Sequence, residues 1–352
     1  MKRTGGLWSS VCSFENLVQA AQHAARGKRH RDEVGHFFIN LEPNLLRLQR
    51  ELLDGSWKPG PFHVFSIREP KVRRICAAPF PDRVLHHALC GVVEPILESG
   101  YIFDSYACRK GKGTHRAIYR AQYYTRRYQY FLKLDIRKYF SSVDHKVAKS
   151  RIARKFKDSE ILGLFGTIID HGEPGRNSAV GLPIGNLTSQ YLANLYLDAA
   201  DHLVKEDMRV PGFIRYMDDM LLFSDSKVEL WSELKILESF LNEKLKLEIK
   251  PGSVRVAPCN QGIPFLGFRV FPGTIRVLRV NWRRFYQKFK RRNIQYQKGE
   301  IGFADRELSI QSMVEYLRVG NTRNLRNTAL NEGLSGARAE VGFKPCDTGR
   351  QL

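Results

Sequence analysis

Two adjacent carboxylates inside an otherwise apolar stretch are the residues of this sequence best placed to do chemistry. In Phe213-Ile214-Arg215-Tyr216-Met217-Asp218-Asp219-Met220-Leu221-Leu222-Phe223-Ser224, two short apolar and aromatic runs flank the acids. That pattern predicts a tight β-hairpin with Asp218 and Asp219 at or beside its turn. Strand runs this apolar are normally buried, and a buried carboxylate is costly unless a cation or partner compensates it. An acid pair alone would read as an ordinary turn, where Asp is common. A third acid in matching surroundings changes the reading: Leu132-Lys133-Leu134-Asp135-Ile136 is an apolar strand ending in an acid, with Tyr139-Phe140 just beyond it. Hard oxygen ligands converging from two strands suit Mg²⁺, and a pair of such ions suits phosphoryl transfer.

The elements that must hold these acids follow from periodicity and breakers. Residues 13–53 predict two helices, with Leu45, Leu48 and Leu52 on one face of the second and Asp54-Gly55 closing it. The basic run from Arg26 to Arg31 between them suits either phosphate contact or plain solvation. Phe62–Ile67 and Val72–Cys76 read as a hairpin whose Lys71, Arg73 and Arg74 could clamp a triphosphate. Pro81-Asp82 opens a core helix. The loop from Tyr106 to His115 is basic and glycine-rich, but it lacks the Gly-x-x-x-x-Gly-Lys-Ser/Thr phosphate-loop signature. Arg109 in that loop is a candidate contact to a nucleic-acid strand. A helix is expected over about 146–169, and Gly181-Leu182-Pro183-Ile184-Gly185-Asn186-Leu187-Thr188-Ser189-Gln190 leads into another. Its glycines would let backbone approach a substrate base pair. Then come an amphipathic helix over 227–245, a turn at Lys250-Pro251-Gly252-Ser253 and a strand over Phe265–Val270. The run from Trp282 to Arg292 interleaves bases with aromatics, as in a helix packed on one side and facing phosphates on the other. Residues 333–352 have no clear period and read as a loose tail.

Composition narrows the partners. The 352 residues are 43% hydrophobic and 26% charged, as in a globular protein of two or three subdomains. With 57 basic residues against 36 acidic ones, the net charge of +21 implies a polyanion, nucleic acid first and an anionic membrane surface second. No apolar run approaches the roughly 18 residues of a membrane span. The basic start has no apolar stretch behind it, so no signal peptide is expected. Six scattered cysteines without a Cys-x-x-Cys pair suit reduced thiols in the cytoplasm. His86 and Cys90 lack a second ligand pair and read as packing residues rather than a zinc site.

In order, these segments resemble the reverse transcriptases over most of the chain. Leu134-Asp135-Ile136-Arg137-Lys138-Tyr139-Phe140 carries the family's first catalytic acid, and Tyr216-Met217-Asp218-Asp219 matches its Tyr-x-Asp-Asp box. Leu182-Pro183-x-Gly185 is similar to its template-and-nucleotide loop, and Phe265-Leu266-Gly267-Phe268 to the primer grip. Lys71 and Arg73 match its triphosphate-binding hairpin. The resemblance implies an α+β right-hand polymerase: an N-terminal helical extension (1–60), fingers (61–130), palm (131–272, with finger segments between the Asp135 strand and the 181–190 loop) and helical thumb (273–332). It further implies two Mg²⁺ ions, replaceable by Mn²⁺, held by Asp135, Asp218 and the Ile136 carbonyl, with Asp219 as electrostatic support. Phe140 would lie against the deoxyribose, Ile184 and Gly185 beside the incoming nucleotide, and Pro183, Ser189, Gln190 and Tyr216 along template and primer. Lys250 is a candidate general acid toward pyrophosphate.

Two departures resemble one subgroup. Ile184 stands where most relatives have Gln, and Ser189-Gln190 where intron-type enzymes have Ser-Pro. This is similar to the polymerases of diversity-generating retroelements. The likeness implies error-prone cDNA synthesis opposite template adenines, with a structured RNA template and its cDNA or primer, dNTPs and a small basic helical accessory protein. The sequence has no evident room for an intron-maturation extension or a ribonuclease H domain beyond the thumb. Another bacterial reverse transcriptase (group II intron-like, retron-like or recruited to phage defence) is the alternative. A non-catalytic RNA-binding relative is a third possibility, disfavoured by the intact aspartates.

Overall fold

The computed structural model describes residues 3–68, 72–172, 174–175 and 179–338, with side chains described through 330. The chain divides into two compact units, one of residues up to Gly113 together with Leu132–Val256, the other of Thr114–Phe131 together with residues from Ala257 onward. This division differs from the fingers, palm and thumb limits read from sequence.

In the first unit, α1 (Trp8–Cys12), α2 (Phe14–Ala24), α3 (Asp32–Ile39) and α4 (Leu41–Leu53) precede an antiparallel hairpin, β1 (His63–Arg68) and β2 (Val72–Ala77). Three helices occupy the span where periodicity suggests two, because Asn40 leaves helical backbone (φ −114°, ψ 44°). Leu45, Leu48 and Leu52 are buried as expected. All four helices pack on α5 (Phe80–Glu98), whose Val84, Leu85, Ala88, Leu89 and Val93 are fully enclosed. The hairpin is largely exposed on both faces, with Ile67 opposite Arg73.

The chain then enters the second unit with α6 (Thr114–Thr125) and returns on β3 (Tyr130–Asp135). After β3 come α7 (Tyr139–Ser142), α8 (His145–Ala153), α9 (Ser159–His171) and α10 (Leu187–His202). The single helix expected over 146–169 is broken between α8 and α9, where buried Phe156 pairs with Thr4 as an isolated bridge. A five-residue π-helix (Leu203–Asp207) leads to β4 (Gly212–Tyr216), β5 (Asp219–Ser224), α11 (Lys227–Leu245) and β6 (Arg255–Pro258). Helix α11 matches the expected limits: Ser226 caps it by accepting from the Glu229 N–H, and Leu230, Leu234, Leu237, Leu241 and Leu245 line its buried face. The strands form a four-stranded sheet in the order β4-β5-β3-β6, so the hairpin carrying Asp218 and Asp219 lies beside the strand ending in Asp135.

The second unit continues with a three-stranded antiparallel sheet of β7 (Ile263–Phe265), β8 (Phe268–Val270) and β9 (Ile275–Val277). Its last described helices are α12 (Arg279–Gln297), α13 (Phe303–Leu317) and α14 (Arg323–Arg338). The segment Phe265–Val270, expected as one strand, is two strands joined by a two-residue turn at Leu266-Gly267, both with positive φ (47° and 91°). No described helix is long and apolar enough to cross a membrane, and none of the five described cysteines is in a disulfide.

Candidate active site

The acidic hairpin is anchored by its strands and shaped at its turn. Phe213, Ile214, Met220, Leu221, Leu222 and Phe223 are enclosed, which fixes β4 and β5 and leaves the Met217-Asp218 turn between Tyr216 and Asp219. Met217 adopts φ +57°, an uncommon value for a side chain of its size that the surroundings must impose. Arg215 supplies the brace. Its fully buried guanidinium makes two 2.6 Å bonds to the Asp201 carboxylate on α10, and Nη1 donates to Asn194 Oδ1 (3.1 Å) and to the Met217 carbonyl (3.3 Å). A salt bridge therefore holds the turn from inside the core.

Asp135 is positioned by the segment after α11. The Asp135 N–H donates to Ser253 Oγ (3.2 Å), the Lys250 N–H donates to the Asp135 carbonyl (2.8 Å), and Ile136 pairs with Ile249. The order β4-β5-β3 sets the Asp218 turn beside the end of the Asp135 strand, close enough for the Asp135 charge to act on the Asp218 carboxyl. Burial first, and the Asp135 charge second, push the Asp218 carboxyl up to about 7. Burial likewise raises Asp219 to about 6, opposed by Lys133, whose Nζ lies 2.8 Å from Asp219 Oδ2. Lys250 Nζ is 3.0 Å from Asp135 Oδ2.

This donor set fits divalent ions. Asp135, Asp218 and Asp219 concentrate negative charge in one place, two ammonium groups already partly compensate it, and Asp219 Oδ1 is enclosed without a hydrogen-bond partner. Among the described residues no three His, Cys, Asp or Glu side chains form a ready-made cage. That suits Mg²⁺, which is usually held by one or two carboxylates and completed by water and substrate phosphates.

Three segments read as nucleotide-binding are joined through backbone. The Cys76 N–H on β2 donates to the Ile184 carbonyl (2.8 Å), and the Leu182 N–H donates to the Phe140 carbonyl (2.7 Å). Gly185 has φ +121°, and a Cβ there would stand 2.8 Å from Ile75 Cγ2 and 3.3 Å from the Cys76 carbonyl oxygen. Only glycine lets this loop sit so close to β2. Pro183 is buried, Phe140, Ile184 and Tyr216 are half-buried, and Arg73 is exposed. Lys71 lies outside the described residues.

Other sites differ from expectation. Arg109 is not turned toward a strand: it grips Glu98 through Nε and Nη2 (2.9–3.0 Å) and donates to the Ile102 and Ser105 carbonyls, with its side chain 6% exposed. The loop folds Arg109 back onto Glu98 at the end of α5, so the charge is spent internally. Ser189 is 3% exposed and packs within α10, whereas the neighbouring Gln190 keeps partial exposure. In the second unit, the Tyr316 hydroxyl donates to the Leu266 carbonyl (3.0 Å), and a Cβ on Gly267 would fall 2.1 Å from that hydroxyl. The Phe265-Leu266-Gly267 turn is thus locked to α13.

Lys133 and the Arg215–Asp201 pair escaped the sequence reading. Each left a signal: Lys133 and Asp135 alternate on one strand and share a face, and a lone Arg in a buried strand demands a buried acid.

Comparison with known proteins decides the family. The sequence profile described as "Reverse transcriptase (RNA-dependent DNA polymerase)" matches residues 59–270, more than half of the chain. The chain belongs to the reverse transcriptase family. It is 23% identical over 273 residues to Protein YkfC of Escherichia coli (strain K12), covering 65% of this chain and 72% of that one. It is 24% identical over 170 residues to the Group II intron-encoded protein LtrA of Lactococcus lactis subsp. cremoris, covering 46% of this chain and 28% of LtrA. The reverse transcriptase chain also shares its fold with telomerase from Candida albicans, solved with a fragment of telomeric RNA. There the TM-score is 0.50 at 12% identity, covering 83% of this chain and 58% of that one. Reverse transcriptases in general work with divalent metals and an RNA template, and this chain's mixed helix-and-sheet fold is of their right-hand type.

Proposed function

We propose that this reverse transcriptase copies a structured RNA into cDNA by two-metal nucleotidyl transfer, with Asp135 and Asp218 as the metal-holding carboxylates. The strand order β4-β5-β3, which sets the hairpin bearing Asp218 beside the strand ending in Asp135, carries the reading. Mg²⁺ is the proposed ion, with Mn²⁺ able to replace it. Bound there, such ions lower the pKa of the primer 3′-hydroxyl and stabilise charge on leaving pyrophosphate. The protein's share is positioning. Asp135 at the end of β3 and Asp218 in the β4–β5 turn would present oxygens, the Ile136 carbonyl would be a further donor, and Asp219 would add negative potential tempered by Lys133. Lys250, whose Nζ lies 3.0 Å from Asp135 Oδ2, is the candidate proton donor toward pyrophosphate. Arg73, with Lys71, would take triphosphate oxygens in a bidentate fork.

Phe140, held against the Leu182–Gly185 loop, is proposed to occupy the space of a 2′-hydroxyl. Apolar surroundings alone reject an added hydroxyl by only about a hundredfold, so ring bulk must supply the rest. Phe140→Ala should raise rNTP incorporation relative to dNTP by tenfold or more, on the order of a lost steric contact of 1–3 kcal/mol. Equal sugar selectivity in variant and parent, measured by single-nucleotide extension, would remove Phe140 from this role.

Fidelity is the finer proposal. Gln can hydrogen-bond near a nascent pair, whereas Ile184 offers only a stiff apolar surface. Losing about 1 kcal/mol of discrimination allows roughly fivefold more errors. Ile184 and Ser189-Gln190 therefore support a mutagenic retroelement polymerase working at template adenines with a small basic accessory protein. Ile184→Gln should lower misincorporation several-fold, and an unchanged error spectrum in sequenced cDNA would count against it. The match to a group II intron-encoded protein supports a second reading, an intron-type polymerase of ordinary fidelity. Sequencing cDNA made on one defined RNA separates the two: adenine-directed errors favour the first, and uniform low error the second.

A further inference from the structure

Helix α6 carries a face that contributes none of the residues assigned above. Between Asp104 and Asp135 the chain has no acidic residue but has Arg109, Lys110, Lys112, Arg116, Arg120, Arg126, Arg127 and Lys133. Lys110 is paired with Glu94, as Arg109 is with Glu98, but Arg116, Arg120, Arg126 and Arg127 belong to the second unit, the first two on α6 and the others just past its end. One side of α6 is core: Ala117, Ile118, Ala121, Tyr124 and Thr125 are at most 4% exposed. The other side brings Arg116, Tyr119, Arg120 and Tyr123 together at helical spacing, with Arg127 just past its end. Tyr119 is 50% exposed and Tyr123 42%.

The groups on this face are preorganised. The Arg120 guanidinium lies 4.9 Å from the Tyr123 ring centroid and 4.6 Å from that of Tyr124, and donates to the Tyr124 hydroxyl (2.9 Å). Arg127 sits 5.3 Å from the Tyr123 centroid and donates to its hydroxyl (2.8 Å). Arg126 donates to the Pro272 carbonyl (2.7 Å), which ties down the helix end within the same unit. A helix kept only for solubility would intersperse acids with bases, and α6 itself carries no acid. A membrane or apolar-groove contact would display aliphatic side chains, but Ile118 points into the core and only tyrosines are exposed.

We infer that this α6 face is a platform for single-stranded RNA, a foothold for template or flanking RNA additional to the nucleotidyl-transfer site. Bases stack on the exposed rings of Tyr119 and Tyr123, and phosphates pair with Arg116 and Arg127. Duplex RNA has no free base faces and is recognised through phosphates and 2′-hydroxyls, so it gains nothing from the tyrosines.

The test uses the full chain with its polymerase site already occupied by an RNA–DNA primer–template ending in a dideoxynucleotide, plus the next dNTP. A fluorescein-labelled, uridine-rich single-stranded RNA is then titrated and followed by anisotropy. The parent is expected to bind it saturably. Tyr119→Ala with Tyr123→Ala should weaken binding by roughly tenfold or more, and Tyr119→Phe should retain it. Arg116→Gln with Arg127→Gln should flatten the salt dependence by roughly 1.4 in log–log slope. Extension of a preformed primer–template and the thermal melt should stay at parent values in every variant. With 5-iodouridine in the RNA, photocrosslinks should map to Tyr119 or Tyr123. The proposal is overturned by no second RNA bound, by parent-like affinity in the double tyrosine variant, by equal affinity for duplex RNA, or by crosslinks elsewhere only.

Discussion

Asp218→Asn is expected to slow primer extension on RNA by about three orders of magnitude or more while leaving primer–template binding near the parent value. Divalent-ion catalysis is worth several kcal/mol, at about 1.4 kcal/mol per tenfold in rate, and an amide cannot replace a carboxylate as a hard anionic ligand. The same change should stabilise the metal-free protein. Burial and the Asp135 charge raise the Asp218 carboxyl from 3.8 to about 7, so the folded state binds a proton that the unfolded chain releases. Stability contributed by that proton is full below the ordinary Asp value and disappears as pH climbs through about 7. At pH 8 in EDTA, Asp218→Asn should therefore melt above the parent, and adding Mg²⁺ should narrow the gap. A variant that loses both activity and thermal stability would show that the carboxylate is structural, contrary to its proposed place among the metal ligands.

Arg215→Leu carries the largest expected cost in stability, about 3–5 kcal/mol, because it leaves the Asp201 carboxylate fully buried without its counter-charge. Arg215→Leu combined with Asp201→Leu should recover most of that loss, since apolar side chains often substitute for a buried ion pair without penalty. Activity should not return with stability. The guanidinium also holds the Met217 carbonyl, and Met217 keeps its positive φ only while its surroundings enforce it. Denaturant melts and single-turnover extension on the three variants check this. Full recovery of rate in the stable double variant would show that the turn keeps its shape unaided.

The elements that carry the three acids were legible because local patterns specify them: apolar runs on either side of Asp218-Asp219 force a buried hairpin, and Leu132–Ile136 forces a strand. Helix α11 was legible for the same reason, with a Ser226/Glu229 cap and a leucine stripe. What escaped depends on contacts between distant segments. The break between α8 and α9 reflects the pairing of Phe156 with Thr4, which no local propensity foretells. The turn at Leu266-Gly267 places a leucine at φ 47°, against its intrinsic preference, and is held by Tyr316 fifty residues away. Arg109 looked available in sequence because Glu98, its partner, lies across a loop. Lys133 was the most recoverable omission: strand alternation puts it on the face of Asp135, where a cation beside three acids was to be expected.

The most direct measurement counts divalent ions at the paired carboxylates. Electron paramagnetic resonance of the protein with Mn²⁺, a dideoxy-terminated primer–template and an incoming dNTP reports free against bound metal. Two ions per parent molecule, and fewer than two after Asp135→Asn at unchanged nucleic-acid binding, is the expected result. An identical Mn²⁺ stoichiometry in parent and variant would contradict the assignment of Asp135 and Asp218 as a shared metal site.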